Sequence, residues 1–169
     1  PGGSPVQSEM ISKRIRDLSE EKNIPVLAFV EDVAASGGYW LACAADEIFA
    51  SKASIIGSIG VVSSGFGFDK AIKKIGVDRR LYTSGENKAI LDPFLPENKD
   101  DIKRLKDIQK ELHNQFISFV QSRRGSKITN KNKDLFTGAF WSGEKSLELG
   151  LIDDYGEMKS VLKQRFGEN

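Results

Sequence analysis

The stretch from Pro25 to Ala45 constrains the fold more than any other, because an apolar strand, a serine, two glycines and an apolar helix follow one another without a break. Pro25 to Val30 is apolar without alternation, as in a strand covered on both faces. The spacing predicts a strand over Pro25–Val33 and a helix over Ser36–Ala45. A serine at such a turn carries its hydroxyl at a helix N-terminus. Backbone N–H groups there have no partner within the helix, and Gly37 and Gly38 let another segment approach closely. A serine nucleophile with half an oxyanion hole needs this arrangement. An ordinary serine N-cap needs it too, so this stretch alone leaves both roles open.

The remaining periodicities alternate between strand and helix. Val6–Glu21 reads as a helix with Met10, Ile11, Ile15 and Leu18 on its core face and charges opposite. Glu47–Ser51 and Ile55–Ser64 read as strands, Phe68–Ile75 as a short helix, and Val77–Thr83 as a strand. Glu97–Arg124 is the longest helix, with Ile102, Leu105, Ile108, Leu112, Phe116, Phe119 and Val120 stepping by three or four. Asn130–Phe136 reads as a short helix and Trp141 as a loop residue. A capping box opens a helix at Ser142, Leu151–Asp153 reads as a strand, and Met158–Phe166 is the last helix. Strands alternating with helices make an α/β domain, here expected to run as one unit over residues 1–169. Short strands in pairs before each helix favour a spiral of β-β-α turns, and no dinucleotide or phosphate-loop motif is present.

Bulk charge excludes little and promises little. With 25 basic and 24 acidic residues the formal charge is +1, which gives no field for nucleic acid or an anionic membrane surface. The single cysteine, Cys43, lies in the apolar helix and reads as a small buried thiol. No run is long enough for a membrane span, and no signal peptide is visible. The chain opens on a loop, Pro1-Gly2-Gly3-Ser4-Pro5, with no element before it. The expectation is therefore a native N-terminus upstream, with further strands and any membrane anchor there.

A nucleophilic serine requires a base. The one histidine, His113, sits midway along the long helix and reads as a solvent-flanking residue, and no metal-ligand spacing surrounds it. A lysine is the other choice, and it serves only if burial leaves its amine neutral. Lys88 follows Ser84-Gly85-Glu86-Asn87 and precedes Ala89-Ile90, so it either turns back into the domain or stands on a plain surface turn.

Four motifs in order, Pro1-Gly2-Gly3, Ala34-Ala35-Ser36-Gly37-Gly38-Tyr39, Gly57-Ser58-Ile59-Gly60-Val61 and Ser84-Gly85-Glu86-Asn87-Lys88, resemble the signature of the signal peptide peptidase A family (protease IV), which includes the SohB-like proteins. The resemblance implies the Clp protease/crotonase fold and a serine endopeptidase with a Ser-Lys dyad and no cofactor or metal. It assigns Ser36 as nucleophile, Lys88 as general base and Ser58 as the hydroxyl that orients the lysine. The oxyanion donors it implies are the N–H groups of Gly37 and of the opening loop, Gly3 in preference to Gly2. It further implies apolar, signal-peptide-like substrates, a homo-oligomeric ring, no nucleic acid, and a place at the bacterial membrane on its extracytoplasmic side, with membrane contact only through an upstream anchor. Two other classes share parts of this pattern. One is a non-proteolytic crotonase-like acyl-CoA enzyme, the other a catalytically silent peptide-binding scaffold.

Overall fold

A computed structural model of the chain describes residues 1–129 and 132–167. In chain order the elements are α1 (Pro5–Lys22), β1 (Leu27–Val30), β2 (Val33–Ala35), α2 (Gly37–Ala42), β3 (Glu47–Ala50), β4 (Ile55–Gly57), α3 (Asp69–Lys74), α4 (Lys99–Arg124), β5 (Phe140–Ser142), α5 (Gly143–Glu148), β6 (Asp154–Tyr155) and α6 (Met158–Phe166). Two compact units emerge, Pro1–Val61 with Leu112–Asn169, and Val62–Glu111.

The first unit is the β-β-α spiral. Each turn lays one strand in each of two sheets: β1 pairs with β3 and β2 with β4, both in parallel, with α2 as the crossover. The sheet orders are β1-β3-β6 and β2-β4-β5, the last strand running antiparallel to β4. The strand expected over Pro25–Val33 is thus two strands, broken at the exposed pair Glu31-Asp32. Two adjacent carboxylates resist burial, and the chain uses them to change sheets. The buried Ser54 hydroxyl fastens this corner, donating to the Val30 carbonyl at 3.1 Å and the Glu31 carbonyl at 2.5 Å.

The core gathers where α2 meets α4. Tyr39, Cys43, Ile48, Ile56, Ile59, Val120 and Leu151 are wholly buried, and Trp40 stacks on Phe116 with ring centroids 4.7 Å apart. Burial pushes the Cys43 thiol up to about 12, which leaves it protonated and inert, as its apolar surroundings suggested. Beyond α2, Arg16 and Arg123 take the terminal carbonyls: Arg16 donates to Ala44 O at 3.2 Å, Arg123 to Cys43 O and Ala45 O at 3.1 and 3.0 Å, and both pair with Asp46. Cations at that end satisfy its orphan carbonyls and complement its negative pole.

Several elements differ from expectation for identifiable reasons. On α1 the apolar stripe is left in solvent, Met10 at 61% exposure and Leu18 at 38%, while Ser8 and Ser12 face inward at 4% and 1%. Only small side chains fit where α1 meets the glycine start of α2, so closeness of approach overrides apolarity. The Ile55–Ser64 strand stops at Gly57 because Ser58 turns the chain with φ 52°. Trp141 lies in β5, its ring packed over Gly57, where an added Cβ would come within 2.9 Å. Instead of the Asn130–Phe136 helix, residues 133–138 form turns, with Asn132 Oδ1 accepting from Asp134 N at 2.9 Å in place of a helical bond; Asn130 itself lies outside the described residues. Strand pairing near the C-terminus begins at Asp154 rather than Leu151, because the Asp153 carboxylate takes the Ile48 N–H at 2.8 Å.

The second unit holds α3 and the first half of α4. It contains no strand among its residues. Val77–Thr83 reads as a strand with mixed faces but has no neighbour to pair with, and an unpaired strand has no stability of its own. Side-chain links organise the segment instead: Arg79 pairs with Asp92 at 2.8 Å and lies over the Phe94 ring, which stacks on Phe68 at 5.7 Å.

Arg124 is the most deeply buried charge of the first unit, donating to Gly150 O at 2.8 Å and to Asp153 at 2.6 Å. Its replacement, Arg124→Met, leaves the Asp153 carboxylate to Lys127 and the Ile48 N–H and the Gly150 carbonyl without its donors, and urea unfolding is expected to show a loss of about 3 kcal/mol. Burial draws the Asp153 carboxyl upward, but hydrogen bonds from Arg124, Lys127 and the Ile48 N–H outweigh it and hold the group below its ordinary value. A carboxyl lowered in the folded state stabilises fully above its unfolded pKa of about 3.9, and that stability is lost as pH falls through the folded value. Urea midpoints followed from pH 6 to 2 (roughly the carboxylate range) should therefore fall less in Asp153→Asn than in the parent chain.

Candidate active site

Ser36 and Ser58 stand at the carboxyl ends of neighbouring parallel strands. Ala35 lies opposite Gly57 in the β2–β4 register, and the Ser36 N–H donates to the Gly57 carbonyl at 2.8 Å. The two strands therefore deliver the two serines from neighbouring strand ends. The carboxyl ends of parallel strands are where α/β folds place their ligands. Ser58 is fixed from its other side by its own N–H, which donates to Ala139 O at 2.7 Å.

The backbone of Ser36 is strained, with φ 52° and ψ −124°, a conformation that costs a non-glycine residue about 1–3 kcal/mol. The strain turns β2 sharply into α2 and lifts the hydroxyl out of the helix. Ser36 makes no side-chain cap bond to α2, so the plain N-cap role is not the one it has here. Its carbonyl alone serves the helix, accepting from Trp40 N at 3.0 Å. Among the described residues neither the Ser36 nor the Ser58 hydroxyl has a hydrogen-bond partner.

The opening loop closes over this turn. A Cβ built on Gly37 would lie 3.0 Å from Gly3 N and 2.6 Å from Ser8 Oγ; one built on Gly2 would lie 3.8 Å from Ser36 Cβ. Gly37 must be glycine for the loop to come so near. Among the described residues the N–H groups of Gly3 and Gly37 donate to no acceptor. Gly37 is buried, where an N–H without a partner is rare, whereas Gly3 is exposed. The two N–H groups lie together beside a free serine hydroxyl, as acyl-transfer chemistry requires of donors aimed at a developing oxyanion.

The structure thus brings together Ser36, Gly37, Gly3, Gly2 and Ser58 in the first unit. Lys88 belongs to the second, on an exposed turn where its N–H donates to Gly85 O at 3.2 Å; of its two readings the surface turn is the one seen. His113 is not solvent-flanking. It is half-buried, with Nε2 3.0 Å from Ile59 O, so that nitrogen carries the proton and the ring anchors the residue after Ser58. Ser8 escaped the sequence reading; its signal was the pair Ser8 and Ser12, small residues one turn apart and beside Ile11 and Ile15 on α1. No group of three or more metal-ligating side chains is found among the described residues.

Comparison with known proteins identifies the family and the fold. The sequence matches peptidase family S49 over residues 19–166. It is 56% identical over 168 residues to a Na(+)/H(+) antiporter NhaA of Brucella abortus, covering 99% of this chain and 23% of that protein. It is 31% identical to the chloroplastic serine protease SPPA of Arabidopsis thaliana, covering 96% of this chain and 24% of that one. The chain therefore spans about a quarter of the length of these two relatives. Among solved structures, a variant of the 1510-N membrane-bound stomatin-specific protease in complex with a substrate peptide superposes with a TM-score of 0.53 at 20% identity, covering 96% of this chain and 60% of that one. The fold is of the Clp protease/crotonase type. With the strand-end serines, the paired glycine donors and the family match in agreement, the chain belongs to peptidase family S49, the family of SppA and SohB.

Proposed function

We propose that the chain carries the catalytic machinery of a serine endopeptidase working with a Ser-Lys dyad. One observation bears most of this reading: a strained serine whose hydroxyl is unused, next to two backbone N–H groups with no acceptor. Ser36 is the nucleophile. Lys88, as the neutral amine, takes its proton, and the alkoxide attacks a peptide carbonyl. The Gly37 and Gly3 N–H groups hold the tetrahedral oxyanion, and the amine returns the proton to the leaving nitrogen. Water then enters by the same route and releases the acyl group from Ser36. Ser58 accepts or donates at the lysine amine and keeps it aimed.

A lysine base demands a dry environment, because the ammonium form cannot accept the proton. Lys88 is exposed within its own unit, and the same unit carries exposed Val62, Phe66, Ile75 and Tyr82. A neighbouring copy covering that apolar surface is the means by which the lysine loses water, and this is the role assigned to a homo-oligomeric ring. Apolar, signal-peptide-like segments are the substrates this reading favours, with the site on the extracytoplasmic side of a bacterial membrane.

A fluorophosphonate probe is expected to label Ser36 and to fail on both Ser36→Ala and Lys88→Ala. Coenzyme A binding without labelling would instead favour an acyl-CoA enzyme, and neither response a silent scaffold. Lys88→Ala should lose about 10²–10⁴-fold in kcat for peptide hydrolysis, and a parent-like rate in that variant excludes a lysine base. The strain at Ser36 has its own signature. Ser36→Gly is expected to unfold at higher urea than Ser36→Ala, by about 1 kcal/mol, because glycine alone adopts φ 52° without penalty.

A further inference from the structure

We propose that Ser8 is a positioning residue of the oxyanion hole, locking the opening loop to α1 so that the Gly3 N–H stands beside that of Gly37; this rests on the peptidase reading above. The loop has few other restraints. Ser4 is the N-cap of α1 yet makes no side-chain cap bond, and Pro5 at the first helical position has no N–H to give. What holds the loop is the Ser4 carbonyl, which accepts from Ser8 N and from Ser8 Oγ, each at 3.0 Å. Ser8 is 4% exposed, on the face of α1 that packs toward Gly37.

Its position is a wedge between the two donors. Ser8 Oγ lies 2.6 Å from where a Cβ of Gly37 would stand and 4.0 Å from that of Gly3, while Gly3 N is 3.0 Å from the same Gly37 point. A hydroxyl fills this space and fixes the loop by its bond to Ser4. A methyl fills it but leaves the Ser4 carbonyl with the Ser8 N–H alone. A branched side chain forces Gly3 and Gly37 apart. The distance between the two N–H groups therefore depends on the residue at position 8, although that residue touches no substrate.

Ser12 supplies the control. It is equally buried on the same face, and its hydroxyl donates to Glu9 O at 2.9 Å, away from Gly37. Four chains are compared, the parent, Ser8→Ala, Ser8→Val and Ser12→Ala, for hydrolysis of an apolar peptide, for affinity toward a peptide aldehyde and a non-cleavable reduced-amide peptide, and for amide order parameters of Gly3 and Ser4. Ser8→Ala is expected to lower kcat and aldehyde affinity about tenfold with KM and reduced-amide binding unchanged, since only the oxyanion-bearing state uses the donors. Ser8→Val is expected to lose at least about 10²-fold, the effect of removing one oxyanion donor. Loop order parameters should drop in Ser8→Ala from about 0.85 to below about 0.6, and should hold in Ser12→Ala. Parent-like kcat and aldehyde affinity in both Ser8 variants overturn the assignment, as does a loss that Ser12→Ala reproduces. If the parent chain neither cleaves the peptide nor binds the aldehyde, the peptidase reading falls; unchanged order parameters in Ser8→Ala then overturn the role of Ser8 independently.

Discussion

The absence of a side chain at Gly37 is the constraint on which the rest of the first unit depends. The space a Cβ would fill is taken by Ser8 Oγ and by the Gly3 backbone. That contact brings the N-terminal loop, α1 and the start of α2 into one place. It selects serines for the buried face of α1 and leaves the apolar stripe of that helix in solvent. It also sets two amides with no acceptor next to a hydroxyl with no partner. The buried Gly37 donor without an acceptor and the strained backbone at Ser36 both cost stability, and the surrounding core is what sustains them.

The core does so from the far end of α2. Trp40 and Tyr39 anchor the helix inside, the first on the Phe116 ring and the second through its hydroxyl to Leu151 O at 2.8 Å. Arg16 and Arg123 close its carbonyl end against Asp46. A helix of six residues is too short to be stable alone, so its orientation comes from these tertiary links. With α2 fixed at its C-terminal end, its glycine N-terminus has a defined place relative to Ser36 and Ser58.

How much of this was legible in the sequence follows from how local each cause is. The apolar run through Val30, the Ser36-Gly37-Gly38 turn and the buried helix after it are local features and each formed, although residues 27–29 are only half-buried and the helix ends at Ala42 rather than Ala45. The β-β-α spiral was legible too, because short apolar strands before each helix admit few other arrangements. Val77–Thr83, read as a strand with mixed faces, formed none, since pairing requires a neighbour that local sequence does not supply. Trp141, read as a loop residue, packs over Gly57, a contact between positions far apart in the chain. His113 gave no hint that it would bind the Ile59 carbonyl.

By itself the sequence determined the strand–serine–glycine–helix order, the two-sheet spiral and the identity of the candidate groups, because propensity, periodicity and turn chemistry act over a few residues. Only the tertiary structure decided that the Ser36 hydroxyl is free rather than capping, that the Gly3 and Gly37 amides lie together without acceptors, and that Ser8 rather than Met10 or Leu18 faces inward. Those outcomes depend on how closely two backbones approach, and such closeness is a property of packing that no run of residues carries alone.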